Sequence, residues 1–140
     1  MYKHILLAYD FDNDFDKIPD ALAHLVQPDD DVTITIFNVI SELTLQTSVK
    51  YDDTHIDELK RKREHELQHF VNQLHERHLN TDIIIRAGAV VDLLLDEAHQ
   101  GDYDVIVMSN KRPKPTLKNI LGNVTHIVAN RAEIPVLIIK

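Results

Sequence analysis

The chain has 140 residues, 44% hydrophobic and 27% charged, with a net charge of −8 from 15 basic and 23 acidic side chains. That balance predicts one globular domain over residues 1–140 and excludes a disordered chain, and its negative sign opposes nucleic-acid binding, which works by neutralising phosphates. Without cysteine there is no disulfide framework and no thiol chemistry. With no apolar run near the ~20 residues of a membrane span and no basic-apolar leader, a cytoplasmic protein with no membrane partner is expected.

Residues 4–9, His-Ile-Leu-Leu-Ala-Tyr, form the first apolar run of strand length, and Asp10 ends it. Residues 16–26 place Ile18, Leu22 and Leu25-Val26 on one side and predict a helix. A second strand is predicted over 32–39. Its opening Val-Thr-Ile-Thr-Ile-Phe alternates, so one face is expected to be less fully covered. The polar gap 41–54 is long for a loop. A long helix is predicted over 55–79, with Ile56, Leu59, Leu67, Phe70, Val71 and Leu74 on a broken stripe. Because residues 60–64, Lys-Arg-Lys-Arg-Glu, are highly charged, that helix is expected to dock by its C-terminal half with its first turns in solvent. Then come a strand over 83–87, a helix over 90–98 with apolar positions 90, 91, 94, 95 and 98, and a strand over 105–108. A further helix over 117–128 has apolar positions 117, 120, 121, 124, 127 and 128, and the last strand covers 136–139. Most of the strands are continuously apolar, which marks strands covered on both faces, and their alternation with helices predicts an α/β fold with a parallel sheet and right-handed crossovers.

The stretch from Val105 to Val124 is the most informative in the chain. An apolar strand runs into a basic, glycine-poor loop, and the loop into a helix near Gly122-Asn123. Strand end, loop and helix N-terminus converge in this way at the anion sites of open α/β sheets. Charge is distributed to match. Residues 1–35 hold eight Asp against Lys3 and Lys17, whereas residues 109–140 hold six Lys or Arg against Glu133.

This stretch, with the opening run to Asp10, the strand end Phe37-Asn-Val39, Gly88 before a helix and the closing residues 134–139, resembles the universal stress protein family over nearly the whole chain. ATP-binding members carry Gly-x2-Gly-x9-Gly-Ser/Thr in this loop. On this chain the first glycine falls on Ser109, the second on Arg112 and the third on Gly122, with Asn123 in place of the serine or threonine. The resemblance implies an open five-stranded parallel sheet of order 3-2-1-4-5 with helices on both faces, Rossmann-like. It also implies a nucleotide crevice between strands 1 and 4, held by Asp10, the backbone at Val39, Met108, Ser109, Arg112, Gly122, Asn123 and Val124, and a homodimer through the strand 136–139. ATP or another adenine nucleotide, with magnesium, is the cofactor so implied.

The residues themselves weaken the ATP reading. Glycine lets backbone N–H groups approach a phosphate, and Arg112 has no such freedom, while Pro113 and Pro115 remove two donors. The expected function is therefore a non-enzymatic stress-response binding module with a degenerate nucleotide crevice and weak or no ATP binding, its partner a nucleotide or a protein. One alternative is an ATP-binding protein using the basic loop 111–118 and Gly122-Asn123 for the phosphates. Another is a metal-binding protein using helix histidines such as His65 and His69, though no His-Glu-x-x-His pattern accompanies them. The run of Asp10, Asp12, Asp14 and Asp16 looks like a calcium loop, but Phe15 sits where that turn requires glycine and Ala21 where a glutamate is needed, so no metal site is expected there. The same aspartates are instead expected to attract Lys111, Arg112, Lys114 and Lys118 across the crevice. Nothing in the sequence assigns a catalytic residue.

Overall fold

The computed structural model describes residues 2–11, 13–27, 29–42, 54–109 and 122–140. Strands and helices alternate in chain order: β1 (His4–Ala8), α1 (Ile18–Leu25), β2 (Thr33–Ser41), α2 (Thr54–Glu76), β3 (Asn80–Gly88), α3 (Val90–Gln100), β4 (Val105–Ser109), α4 (Gly122–Arg131) and β5 (Val136–Ile139). All five strands are parallel in the order β3-β2-β1-β4-β5. No helix among the described residues is long and apolar enough to cross a membrane.

The continuous apolar runs are explained by the two cores they separate. Successive strand side chains point to opposite faces, so Ile5 and Leu7 join Ile34, Ile36, Val105 and Val107 on one face. There they pack against Ile18 and Leu22 of α1 and Leu67, Phe70, Val71 and Leu74 of α2. Leu6 turns the other way and, with Phe37, Ile106 and Met108, meets Leu94, Leu95 and Ala98 of α3 and Val128 of α4. Burying each such side chain is worth about 1.5–3 kcal/mol, which favours apolar residues at most positions of a strand between two helical layers.

Several expectations change. The alternating start of β2 is covered on both faces, since Thr35 is only 2% exposed; its hydroxyl is paired with His4 Nε2 at 3.1 Å. The start of α2 is not free in solvent either, because Ile56 and Lys60 share a groove with Ile83, Ile85 and Arg86 of β3. The strands β2 and β3 run longer than their apolar cores suggested, to Ser41 and from Asn80 to Gly88, because the parallel ladder pairs polar residues as readily as apolar ones. The helix α2 stops three residues before the expected end. His78 takes φ 61°, and the N–H groups of Leu79 and His78 turn back to the carbonyls of Leu74 and His75 at 3.1 and 3.0 Å. These two bonds close the helix in a Schellman turn, with histidine where glycine is usual. Phe15, which a calcium loop would not accept, is buried in the first core.

Candidate nucleotide crevice

The sheet order reverses beside β1, which has β2 on one side and β4 on the other. Crossovers from neighbouring strands leave in opposite directions there, so a crevice opens beyond the strand ends. A cavity of about 350 Å³ occupies that place. Ala8, Phe37, Val39, Leu94 and Met108 give it an apolar floor, and Asp10, Asn13, Asn38, Arg63, Ser109 and Thr125 bring polar groups to it. Few polar groups over an apolar floor is the usual make-up of a small-molecule site, and the volume is at the lower end of that class.

Of the residues expected at the site, Asp10, Val39, Met108, Ser109 and Val124 all line the cavity. Gly122 opens α4 as the third loop glycine position. Arg112 lies outside the described residues, as do the side chain of Asn123 and the basic residues Lys111, Lys114 and Lys118 with their expected partner Asp12. Asp10 caps the turn that follows it and not the helix. Its carbonyl accepts from the N–H of Asn13 at 3.1 Å and its carboxylate from Asn13 Nδ2 at 3.2 Å. The helix α1 begins instead behind Lys17 with no side-chain cap, and Pro19 sits in its first turn, where a missing N–H is harmless.

Ser109 is spoken for. It is 5% exposed, and its hydroxyl donates to the carbonyl of Asp14 at 2.9 Å. The position matching the first cradle glycine therefore ties the end of β4 to the loop after β1. On the same loop Asp14 Oδ1 accepts from the N–H of Asp16 at 2.9 Å. Aromatic packing secures the loop from behind. Tyr9 stacks on Phe15 with centroids 4.3 Å apart and meets Phe11 edge-on at 5.1 Å. Burial raises the Tyr9 phenol pKa above its ordinary value, with the nearby Asp16, Asp10 and Glu66 carboxylates pushing the same way.

Arg63 is the residue that sequence reasoning missed. It comes from the charged run of α2, yet its Nη1 donates to Asn38 Oδ1 at 2.6 Å and to the carbonyl of Val39 at 3.3 Å. Its guanidinium carbon stands 5.4 Å from the centre of the Phe11 ring, within cation–π range. The signal was present in the spacing. Positions 56, 59, 63, 67, 70 and 74 follow the 3-4 rhythm of one helix face, so Arg63 fills the gap in the broken stripe and must face inward. Its neighbours Arg61, Lys62 and Glu64 are exposed, as the charge of the run implied. His65 and His69 are exposed too, and among the described residues no three His, Asp or Glu side chains group as a metal site.

The family model described as Universal stress protein family matches residues 1–140. The chain belongs to that family. Among solved structures, the hypothetical protein MJ0577 aligns over all of this universal stress protein and 96% of its own chain, with TM-score 0.84 and 20% identity. A universal stress protein family protein from Arabidopsis thaliana with AMP bound aligns over 99% of this chain and 90% of its own, with TM-score 0.64 and 20% identity. A universal stress protein in complex with cAMP gives TM-score 0.59 and 19% identity over 99% of this chain and 96% of its own. At such identities the likeness is one of fold. No curated protein sequence matches.

Proposed function

We propose that this universal stress protein is a non-enzymatic binding module whose crevice holds the nucleoside half of an adenine-type nucleotide and gives the outer phosphates of ATP little grip. The observation that carries this reading is the division of the site. The floor and the β1 and β2 ends are built, with a cavity of about 350 Å³, while the phosphate side has Ser109 committed to Asp14 and Arg112, Pro113 and Pro115 in its loop. Asp10 and the backbone at Val39 would hold the nucleoside. The first turn of α4, from Gly122 to Val124, would face the α-phosphate with the positive end of the helix dipole. Two structural relatives, one with AMP bound and one in complex with cAMP, support a single phosphate as the fitting number.

Each lost backbone donor removes roughly 0.5–1.5 kcal/mol, and more when the acceptor is charged. A few such losses take a micromolar site towards millimolar. Titration calorimetry of the full chain with ATP and magnesium, AMP and cyclic AMP tests the reading. The expected result is that ATP binds no tighter than AMP. Submicromolar ATP affinity, or ATP retained through purification, overturns it in favour of phosphate binding by the basic loop.

A symmetric dimer through β5 completes the proposal. Among the described residues this strand is a sheet edge paired only with β4, all four of its residues are half-buried, and an apolar edge of this kind pairs with another chain unless something blocks it. Sedimentation of the wild-type protein at micromolar concentration should give a dimer, and a monomer there refutes it. The absence of cysteine fits a cytoplasmic setting for such a module.

A further inference from the structure

The sheet has a second edge, formed by the nine residues of β3. The N–H of Asn80 donates to the carbonyl of Val32 beside β2 at 3.0 Å. Successive residues of a strand turn their backbone groups to alternate sides. Asn80, Asp82, Ile84 and Arg86 therefore bond towards β2, while Thr81, Ile83, Ile85 and Ala87 present N–H and C=O outward. Among the described residues no hydrogen bond reaches those outward groups. The pairing with β2 runs through all nine residues without a bulge, and no proline or lysine stands between Asn80 and Gly88, so the usual guards of an open edge are missing. Ile83, Ile84 and Ile85 are only half-buried. A groove of about 660 Å³ beside them is walled by Ile56, Lys60 and Glu64 of α2 and by Leu93 of α3.

The charges of the strand narrow what can occupy this edge. Asp82 and Arg86 are both exposed and stand two residues to either side of Ile84, which is the middle of the strand. Consider a second copy set antiparallel about a twofold axis through Ile84. Asp82 then stands opposite Arg86 of the other copy, twice over, in the non-hydrogen-bonded pairs where side chains come closest. Ile83 and Thr81 meet Ile85 and Ala87, whose backbone groups also turn outward, so each of these pairs can exchange two hydrogen bonds. Moving the axis to Ile83 or Ile85 sets Asp82 against Ile84 or Gly88 and leaves both charges unmatched across the seam. Arg86 Nη2 lies 3.6 Å from Glu97 Oε1 on α3, beyond hydrogen-bond reach, and its side chain is 53% exposed. That contact leaves the guanidinium at the edge. A charge on an edge strand ordinarily repels a partner, but two opposite charges placed evenly about the centre select another copy of the same strand in one register.

We propose that β3 is a self-recognition edge at which two copies of this chain pair antiparallel about Ile84. Ile83 packs on Ile85 of the other copy on the α2 face, Ile84 on its own counterpart on the α3 face, and Asp82 faces Arg86 on each side of the axis. The proposal does not depend on what the crevice binds. Because β3 and β5 are opposite edges of the sheet, this contact is compatible with a dimer through β5 and joins such dimers into tetramers and longer ribbons. Only three isoleucines of each copy bring apolar surface to the seam, which makes the contact weak, with a dissociation constant on the order of 100 μM.

The chain has no cysteine, so a single introduced thiol reports the register. Under mild oxidation Ile84→Cys is expected to give a disulfide-linked pair, because the two positions face each other across the axis. Ile83→Cys is expected to stay unlinked, since its two copies lie roughly 8 Å apart, too far for a disulfide. No link at residue 84, or equal linking at 83 and 84, overturns the proposal. Charge variants test it without a thiol and supply the answer if Ile84→Cys does not fold. Sedimentation of the wild-type chain should show mass rising above the low-concentration species between about 10 μM and about 1 mM. Arg86→Asp and Asp82→Arg each set like charges opposite one another, and each is expected to weaken that step at least about tenfold, with folding verified by circular dichroism. Mixing the two variants sets opposite charges face to face again and is expected to restore it. A mixture that sediments as the sum of its separate components, or single variants that associate as the wild type does, overturns the β3 contact and leaves the β5 dimer standing.

Discussion

Replacing Ser109 by alanine should loosen the loop that walls the crevice without unfolding the protein. The Ser109 hydroxyl donates to the Asp14 carbonyl at 2.9 Å, 95 residues away in sequence, and joins the end of β4 to the loop between β1 and α1. A neutral hydrogen bond of this kind is worth roughly 0.5–1.5 kcal/mol net. Asp14 is only half-buried, so water can reach its carbonyl once the hydroxyl is gone, and the loss stays within that range. Local opening of the loop should then become about 2- to 12-fold more frequent, at 1.4 kcal/mol per factor of ten. Native-state hydrogen exchange reads this directly at the amides of Asn13, Asp16 and Ile18, which are protected by Asp10, Asp14 and Phe15. Exchange in the centre of the sheet, at Leu6 and Ile106, should change by no more than the global loss of stability. Unchanged exchange at residues 13–18 in Ser109→Ala would refute the idea that this hydroxyl holds the loop. Ser109→Gly should accelerate the same amides at least as much, since it adds backbone freedom at the strand end.

The other predictions concern parts of the fold that support the crevice. Gly88 has φ +147°, and a Cβ built there would stand 3.1 Å from Leu93 Cδ1; Gly88→Ala should lower stability by about 1–3 kcal/mol in chemical denaturation, and a neutral result would show that the β3–α3 turn relaxes freely. Tyr103 donates to Glu97 Oε2 at 2.7 Å, and burial followed by that carboxylate bond raises its pKa to about 12. The protonated phenol therefore stabilises the fold below pH 10, and this contribution is lost as pH rises from about 10 through 12. Tyr103→Phe should cost roughly 1.5–3 kcal/mol at neutral pH, with the gap to wild type closing over that alkaline window; a gap that does not close means the phenol does not titrate in the folded state as inferred. Asp104 should act at the opposite end of the scale. Its carboxylate accepts from the N–H groups of His4 and Lys3 at 2.9 and 2.8 Å, which lower its pKa, so stability from these bonds is present above pH 4 and lost as pH falls through the depressed value. In Asp104→Ala that acid-sensitive part should be missing, and identical acid titration curves for variant and wild type would count against it.

What the sequence determined by itself was the set of elements, because burial on both faces favours a run of apolar side chains along a strand. Ile5, Leu6 and Leu7 read as one apolar run, and the structure divides them between two cores. The same pattern located Asp10 and Ser109 at strand ends facing one crevice, given the strand order that the family resemblance implied. It did not reveal where polar side chains find partners far along the chain. Thr35 looked like the wetter face of β2 and is buried, because His4 of the neighbouring strand supplies its hydrogen bond. Element ends also depended on partners outside the apolar pattern, as the Asn80–Gly88 ladder and the His78 turn show. Arg63 makes the point most sharply. Five charges in the five residues 60–64 signal a solvated helix face, and three of the four neighbours of Arg63 in that run, at 61, 62 and 64, obey that rule. The periodic position of Arg63 turns it inward, but only the folded sheet brings Asn38, Val39 and Phe11 within reach of it. A long side chain with a charged tip satisfies the helix by its spacing and chooses its partners by tertiary proximity, so the most distinctive polar group of the crevice is decided by the fold.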